Sequence, residues 1–306
     1  MERILVFRSG ALGDFLLTLP IIAALRKDHS PCSISLVTRS AYGDLVLGSG
    51  LVEEIRNIES AEWAGMFADD PSLPLEMGGW LASFTKMIVW MTDTDGCFCR
   101  NLRKFSPAEI DLMNPVVNPV GNHATKQLAG MLPWEEEFVL HPHQPASPAA
   151  LALHCGSGSK MKNWPVAHWK SFLKVLAATH PTLPLFIISG EADAAERSAL
   201  LSTMESLPNP LTFAENWLLG RLARQLGECA AYVGQDTGVS HLAALCGVPS
   251  LWLFGPTDPF VWAPRRANVH VLRADLQILD PGDVWARAQL LLATPTSRRS
   301  GLSVPE

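Results

Sequence analysis

No uncharged apolar stretch in this chain reaches the ~20 residues that a membrane-spanning helix needs. Arg3, Arg8 and Asp14 interrupt the first apolar segment, so no secretory signal is expected there. Cysteine is sparse: the six residues at 32, 97, 99, 155, 229 and 246 form no disulfide framework in a chain of 306. Cys97-Phe-Cys99 is too tight for a structural zinc pair, and no second pair follows. These thiols are expected to be reduced and mostly buried. Basic charge is also short, with 24 Lys+Arg against 30 Asp+Glu and a net charge of −6. The broad cationic surface of a nucleic-acid binder is therefore missing. Glycine (22) and proline (23) are scattered and no heptad persists, which excludes collagen-like and coiled-coil chains. The expectation is a cytoplasmic protein with no transmembrane segment and no nucleic-acid partner.

What is present is apolar mass. Hydrophobic residues make up 48% and charged residues 18%, a balance that excludes disorder for the body of the chain. At about 150 residues per domain, the length suggests two domains, each able to bury a core. The charge is uneven, since residues 1–145 hold 18 acidic against 11 basic side chains and the remainder 12 against 13. Arg100, Arg103 and Lys104 form the only visible cationic group of the acidic half, in a stretch read as loop.

Ile4–Phe7 reads as a short buried strand, followed by a Gly-rich turn and then apolar residues at helical spacing from Phe15 to Leu25. Strands follow at Ser33–Val37, Leu51–Ile58 and Lys86–Met91, with a helix over Thr38–Leu47 and another over His123–Met131 capped by Asn122. Residues 59–83 and 92–120 show weak periodicity and give no clear element. His141 to Pro148 is turn-rich and apolar-poor, which suggests an interdomain linker and a hinge near 140–150.

The pattern then restarts. Strands are expected at 151–154, 185–189, 211–214, 230–234, 250–254 and 269–272. Helices are expected at 164–179, 191–204, 218–226, 237–246 and 277–292, with a disordered tail over 294–306. Alternating strands and helices imply parallel sheets covered on both faces. The expected architecture is α/β, an N-terminal domain over 1–145 and a C-terminal domain over 146–293, with parallel sheets facing across a cleft. Ligands of such sheets bind beyond the carboxyl ends of the strands.

Three strand-to-helix loops hold the candidate chemistry. The first is Gly10-Ala-Leu-Gly13-Asp14. Its glycines permit close backbone approach, and the following helix start points free N–H groups outward. It matches neither a dinucleotide fingerprint nor a Walker loop. Asp14 fits two roles, a first-turn helix acid or a carboxylate that takes a proton from a hydroxyl nucleophile. The second loop, Gly156-Ser157-Gly-Ser-Lys-Met-Lys162-Asn-Trp-Pro165, combines hydroxyls, amides and ammonium groups that suit a phosphate. A mobile surface loop with solvated lysines would read the same way, and Trp164 reads as packing. The third, Gly234-Gln-Asp236-Thr237-Gly238-Val-Ser240-His241, opens an apolar helix whose first turn suits a diphosphate. There, Asp236 fits equally as an N-cap and His241 as a core histidine.

Gly10-Ala-Leu-Gly-Asp14, Lys162-Asn-Trp-Pro165, Asp236-Thr-Gly-Val-Ser-His241 and Phe254-Gly-Pro-Thr-Asp-Pro259 occur in the order and spacing of glycosyltransferase family 9, the ADP-heptose:lipopolysaccharide heptosyltransferases and relatives, which the chain resembles over roughly 1–292. The resemblance implies a GT-B fold of two Rossmann-like domains, with the acceptor bound by the first and the nucleotide sugar by the second. It implies inversion at the anomeric carbon, no essential metal and no cofactor beyond the nucleotide-sugar co-substrate. By motif match Asp14 would be the general base, on a loop with Gly10 and Gly13. Lys162 would contact phosphate, with Ser157 in the same loop. Asp236, Thr237, Gly238 and His241 would form the diphosphate and donor-sugar loop, and Glu191 would touch the ribose or base. The partners implied are an ADP-linked sugar and a glycan or glycolipid acceptor, reached at the inner face of the cytoplasmic membrane.

The chemistry is consistent by itself. Without a metal, a departing diphosphate needs fixed positive charge, which Lys162 and the helix end at 237–241 supply. Inversion needs one base on the opposite face, the part assigned to Asp14. Two alternatives remain: a sugar-nucleotide epimerase or hydrolase, with His241 or Glu191 as second acid/base, and a non-catalytic nucleotide-sugar binding protein.

Overall fold

The computed structural model describes residues 1–293; the tail expected over 294–306 lies outside the described residues. The chain divides into two compact units, Met1–Phe138 and a second that begins at Val139.

In the first unit the elements run β1 (Glu2–Arg8), α1 (Leu12–Leu16), α2 (Leu19–Asp28), β2 (Cys32–Thr38), α3 (Ser40–Val46), β3 (Glu54–Asn57), α4 (Leu75–Ala82), β4 (Lys86–Trp90), α5 (Cys97–Phe105), β5 (Glu109–Met113) and α6 (Ala124–Ala129). Its sheet has the order β3-β2-β1-β4-β5, with every neighbour parallel. β1 lies at the centre, and Ile4, Leu5, Val6 and Phe7 are all buried, as an apolar strand covered on both faces must be. One face packs Leu5, Phe7, Met87 and Val89 against Trp63, Met66, Met77, Leu81, Phe98 and Leu102.

The segments without a clear sequence pattern are ordered. Ala61–Phe67 is a 3-10 helix, and α4, α5 and β5 fill the rest. α5 places Arg100, Arg103 and Lys104 on its outside and Phe98, Asn101 and Leu102 inside, so the cationic group belongs to a helix and not to a loop. Its start is held by Asp93, whose carboxylate accepts from the amides of Phe98 (3.0 Å) and Cys99 (2.9 Å). Cys97 and Cys99 are core residues, and burial with Asp93 nearby pushes the Cys99 thiol up to about 12. All six cysteines are free. The helix expected over His123–Met131 is shorter, and His123 rather than Asn122 occupies its N-cap.

In the second unit the order is β6 (Leu151–His154), α7 (Val166–Thr179), β7 (Leu185–Ser189), α8 (Ala194–Glu205), β8 (Leu211–Glu215), α9 (Leu219–Gly227), β9 (Ala231–Gln235), α10 (Gly238–Leu245), β10 (Ser250–Phe254), α11 (Pro259–Trp262), β11 (Val269–Arg273) and α12 (Pro281–Ala293). The parallel sheet runs β8-β7-β6-β9-β10-β11, a doubly wound order with its reversal between β6 and β9. α7, α8 and α12 cover one face around Trp164, Trp169, Phe172 and Trp285. Trp164 is fully buried and donates to the Leu279 carbonyl, so it packs the core as its sequence context indicated.

Residues 140–146, which overlap the linker expected over His141–Pro148, are bonded within the second unit. The Leu140 amide donates to Leu245 (2.8 Å), Gln144 to Gly227 (2.9 Å) and Ala146 to Glu228 (2.9 Å). The division therefore falls at Phe138/Val139 rather than after residue 145.

Candidate functional site

Sheet topology already selects the loops that matter. In the second unit, strands β6 and β9 flank the reversal of strand order, and their carboxyl ends lead into residues 155–163 and 236–237. Those are two of the three loops singled out in the sequence.

The loop after β6 turns through a 3-10 helix at Lys160–Lys162. Lys162 Nζ lies 2.7 Å from Asp236 Oδ2, a partly exposed ammonium joining a carboxylate whose side chain is 5% exposed. Thr257 Oγ1 donates to the same carboxylate oxygen at 2.9 Å. Asp236 is thus committed to Lys162 and Thr257. It does not cap α10; that position belongs to Thr237, whose Oγ1 accepts from the Ser240 amide at 3.4 Å. An ammonium has three donors, so Lys162, with its side chain 31% exposed, retains N–H groups for a ligand.

α10 supplies the second positive element. The first intrahelical bond runs from the His241 amide to the Thr237 carbonyl, so the amides of Gly238 and Val239 precede it at the positive end of the helix dipole. Ser240 points inward instead, its hydroxyl meeting Tyr232 Oη (2.8 Å) and the Gln235 carbonyl. His241 is 5% exposed and packs edge-on against Trp252 with ring centroids 5.0 Å apart. It sits against the sheet, in the core setting that the sequence left open.

Ser157 is part of the loop's internal frame. Its hydroxyl lies 2.8 Å from the Ser159 carbonyl and 2.6 Å from Asn163 Oδ1, and Asn163 in turn donates to Glu196 (2.9 Å). Gln235, fully buried at the end of β9, clamps both ends of the loop. In the orientation that satisfies its neighbours, its amide nitrogen donates to the Gly156 and His154 carbonyls (3.2 Å each) and its oxygen accepts from the Trp164 amide (2.8 Å). Gly156 admits no side chain, because a Cβ there would lie 2.2 Å from Asp193 Cβ. The Lys160–Lys162 turn is therefore held at both ends and is no free surface loop.

Glu191 is exposed at the start of a 3-10 turn, Glu191–Asp193. The inward carboxylate of that turn is Asp193, 5% exposed, with Oδ1 accepting from the Gly190 amide (2.9 Å) and Oδ2 lying 3.5 Å from His154 Nε2. Burial works to raise the Asp193 carboxyl, but His154 and the backbone amides around it, the Gly190 amide among them, together hold the group below its ordinary value. His154, Asp193, Gln235 and Thr257 were given no role from the sequence. Gln235 and Thr257 lie inside the 234–241 and 254–259 motifs, whereas His154 and Asp193 have only position as a signal, closing an apolar strand and a turn. A groove of about 670 Å³ is lined by Met161, Gly255, Pro256, Arg273, Asp275 and Leu276 among others, the first and third being chain neighbours of Lys162 and Thr257.

In the first unit, β1 ends at the corresponding reversal, between β1 and β4. Gly10 adopts φ +108°, a left-handed backbone that favours glycine, and its carbonyl accepts from Tyr42 Oη (2.8 Å). Gly13 lies inside α1. Asp14 is half-buried in the first turn, and its carboxylate approaches Gly10: a Cβ on that glycine would lie 3.7 Å from Asp14 Oδ2. The cap of α1 is Ala11 and Asp14 makes no capping bond, so its side chain is not used to start the helix. Arg8, 2% exposed, donates to the Asp14 carbonyl at 2.9 Å and fixes the backbone there. Burial lowers the Arg8 guanidinium from its ordinary value against the opposing pull of Asp14. Among the described residues no three His, Cys, Asp or Glu side chains group as metal ligands. No helix among them is long and apolar enough to cross a membrane.

Comparison with known proteins bears on the family and the fold. Residues 113–280 match the family model of glycosyltransferase family 9 (heptosyltransferase). A 128-residue stretch is 35% identical to lipopolysaccharide heptosyltransferase 1 of Pseudomonas aeruginosa, covering 42% of this chain and 34% of that protein. The chain spans about a third to two fifths of the length of the curated relatives it matches. Among solved structures, a glycosyl transferase family 9 protein from Veillonella parvula superposes with a TM-score of 0.75 at 16% identity, covering 95% of this chain and 97% of that one. The E. coli heptosyltransferase WaaC with ADP gives 0.72 at 18% identity, covering 95% and 100%. At such identities the likeness is one of fold, and the fold is GT-B.

Proposed function

The chain belongs to glycosyltransferase family 9, and from that premise we propose that it is an inverting, metal-independent glycosyltransferase that moves a heptose from ADP-heptose to a hydroxyl of a lipopolysaccharide-type cell-envelope glycan. The observation that carries this reading is the Lys162–Asp236–Thr257 cluster, which holds an ammonium beside the loop that opens α10, at the carboxyl ends of the strands flanking the sheet reversal. The Pseudomonas relative's name supports heptose and lipopolysaccharide, and the ADP bound by the E. coli neighbour supports an adenine nucleotide.

In this reading Lys162 and the amides of Gly238 and Val239 face the donor diphosphate. They stabilise the negative charge that grows as the bond from the anomeric carbon to the phosphate oxygen breaks. The charge compensation comes from the protein, so the step requires no metal. The acceptor oxygen attacks from the opposite face, and Asp14 takes its proton. A half-buried carboxylate that does not cap its helix suits that role. The acceptor in this reading is a glycan or glycolipid, met at the inner face of the cytoplasmic membrane.

A thermal-shift titration with ADP, UDP, GDP and ADP-heptose tests the donor assignment. Stabilisation by the two adenine compounds alone is expected. A preference for UDP or GDP overturns the adenine assignment, and silence with all four overturns the donor site.

A further inference from the structure

We propose that the buried Asp193–His154 pair positions the Thr237 hydroxyl for the donor diphosphate, and that His154 takes up a proton as the diphosphate binds. This rests on the donor-site reading above and deepens it. His154 ends β6, and its two ring nitrogens are both engaged: Nε2 lies 3.5 Å from Asp193 Oδ2 and Nδ1 lies 3.2 Å from Thr237 Oγ1. Both members of the pair are more than nine-tenths buried, at 4% and 5% exposure. Thr237 Oγ1 also accepts from the Ser240 amide as the cap of α10, and it lies 3.4 Å from Ser240 Oγ, whose own proton goes to the Gln235 carbonyl.

The proton count of this chain of groups has a consequence. A neutral His154 keeps Nε2–H toward Asp193 and accepts the single Thr237 hydroxyl proton at Nδ1. Thr237 then has only lone pairs to turn toward an anion at the start of α10. A protonated His154 donates from Nδ1 instead, the second lone pair of Oγ1 accepts, and the hydroxyl, keeping its proton, is free to donate a hydrogen bond to a phosphate oxygen. The ionised Asp193 compensates the imidazolium, so no unpaired charge is created in the interior. A diphosphate favours the protonated form, because in that form Thr237 bonds to it without leaving the buried His154 Nδ1 unpaired.

The surrounding groups do not compete for this proton. Burial pushes both the Cys155 thiol and the Tyr232 phenol far above their ordinary values. On the other elements Lys162 is paired with Asp236, Glu196 with Asn163, and Arg197 with Glu215, while Glu191 is exposed. His154 is a positioning residue in this scheme, acting on the donor through Thr237.

Isothermal titration of the intact protein with ADP-heptose, in buffers of high and low ionisation enthalpy, reads the proton directly. The diphosphate of ADP-heptose is a diester with no group that titrates near neutrality, so uptake belongs to the protein. The expected result is uptake of up to about one proton, with affinity falling as much as about tenfold per pH unit on the alkaline side. Both effects disappear in His154→Gln and in Thr237→Val, and both are retained in Thr237→Ser. Equal uptake in His154→Gln overturns the proposal. So does wild-type binding without proton uptake, which leaves the donor site standing and needs no variant that folds. A protein that binds no ADP-heptose overturns the donor site itself.

Discussion

Lys162 Nζ and Asp236 Oδ2 are 2.7 Å apart although 74 residues separate them, because β6 and β9 are neighbours in the sheet and their exits converge. The buried carboxylate serves as an anchor for the ammonium. Lys162→Ala is expected to lower kcat/KM for sugar transfer by about 10²–10³-fold, the usual loss when one preorganised donor to a developing anion is removed. Asp236→Ala leaves the lysine in place but unanchored, so its main effect is a raised KM for the donor. The double variant should be no worse than Lys162→Ala alone, since the two residues act as a unit. Steady-state kinetics on the four proteins checks this, and additive losses would show that the pair does not work together.

Asp14 makes no cap bond in α1, so its loss should leave the fold intact. Asp14→Asn is expected to keep donor affinity and thermal stability while transfer falls about 10²–10⁴-fold, the scale of a general base. Donor titration and a transfer assay on the same preparation test it. Unchanged turnover would remove Asp14 from the chemistry.

Gln235 joins the Gly156 and His154 carbonyls to the Trp164 amide through one side chain. Gln235→Leu fills a similar volume and strands those polar groups, at a cost of about 1–3 kcal/mol each if buried. A lower urea midpoint is expected, together with faster amide exchange across residues 155–164.

Asp93 sets a pH dependence whose direction is fixed. Burial works to raise its carboxyl, yet the amides of Cys99 and Phe98 outweigh that and hold it below its ordinary value. A depressed carboxyl stabilises the fold above the unfolded-state value of about 4, and that contribution is lost as pH falls through the lower folded value. Asp93→Ala should therefore cost about 0.5–2 kcal/mol at neutral pH, as helix-start acceptors do, with the gap to wild type narrowing in acid. Urea unfolding at neutral and acidic pH measures both.

The sheets were legible from sequence because central parallel strands carry uninterrupted apolar runs, as at Ile4–Phe7 and Leu251–Phe254. β5 was not, since an edge strand of sequence EIDLM, half open to water, carries no such run. α5 escaped notice because its apolar side, Phe98, Asn101 and Leu102, includes an asparagine whose amide is spent on the carbonyls of Met66 and Ala68, over 30 residues earlier. The three loops could be found from strand–turn–helix order. The partners inside them could not. Which of Asp236 and Thr237 caps α10 depends on where Lys162 and Thr257 reach, and whether Glu191 or Asp193 turns inward depends on His154. Such choices are made by sheet neighbours, which local pattern does not encode.

Leu140, His143, Gln144 and Ala146 are stitched to the carbonyls of Leu245, Cys229, Gly227 and Glu228. Anyone dissecting the chain for separate expression should cut ahead of Val139. A fragment starting at residue 146 would leave the carbonyls of Leu245, Cys229 and Gly227 to find water, and would lose the wrapping that the second half carries as its own.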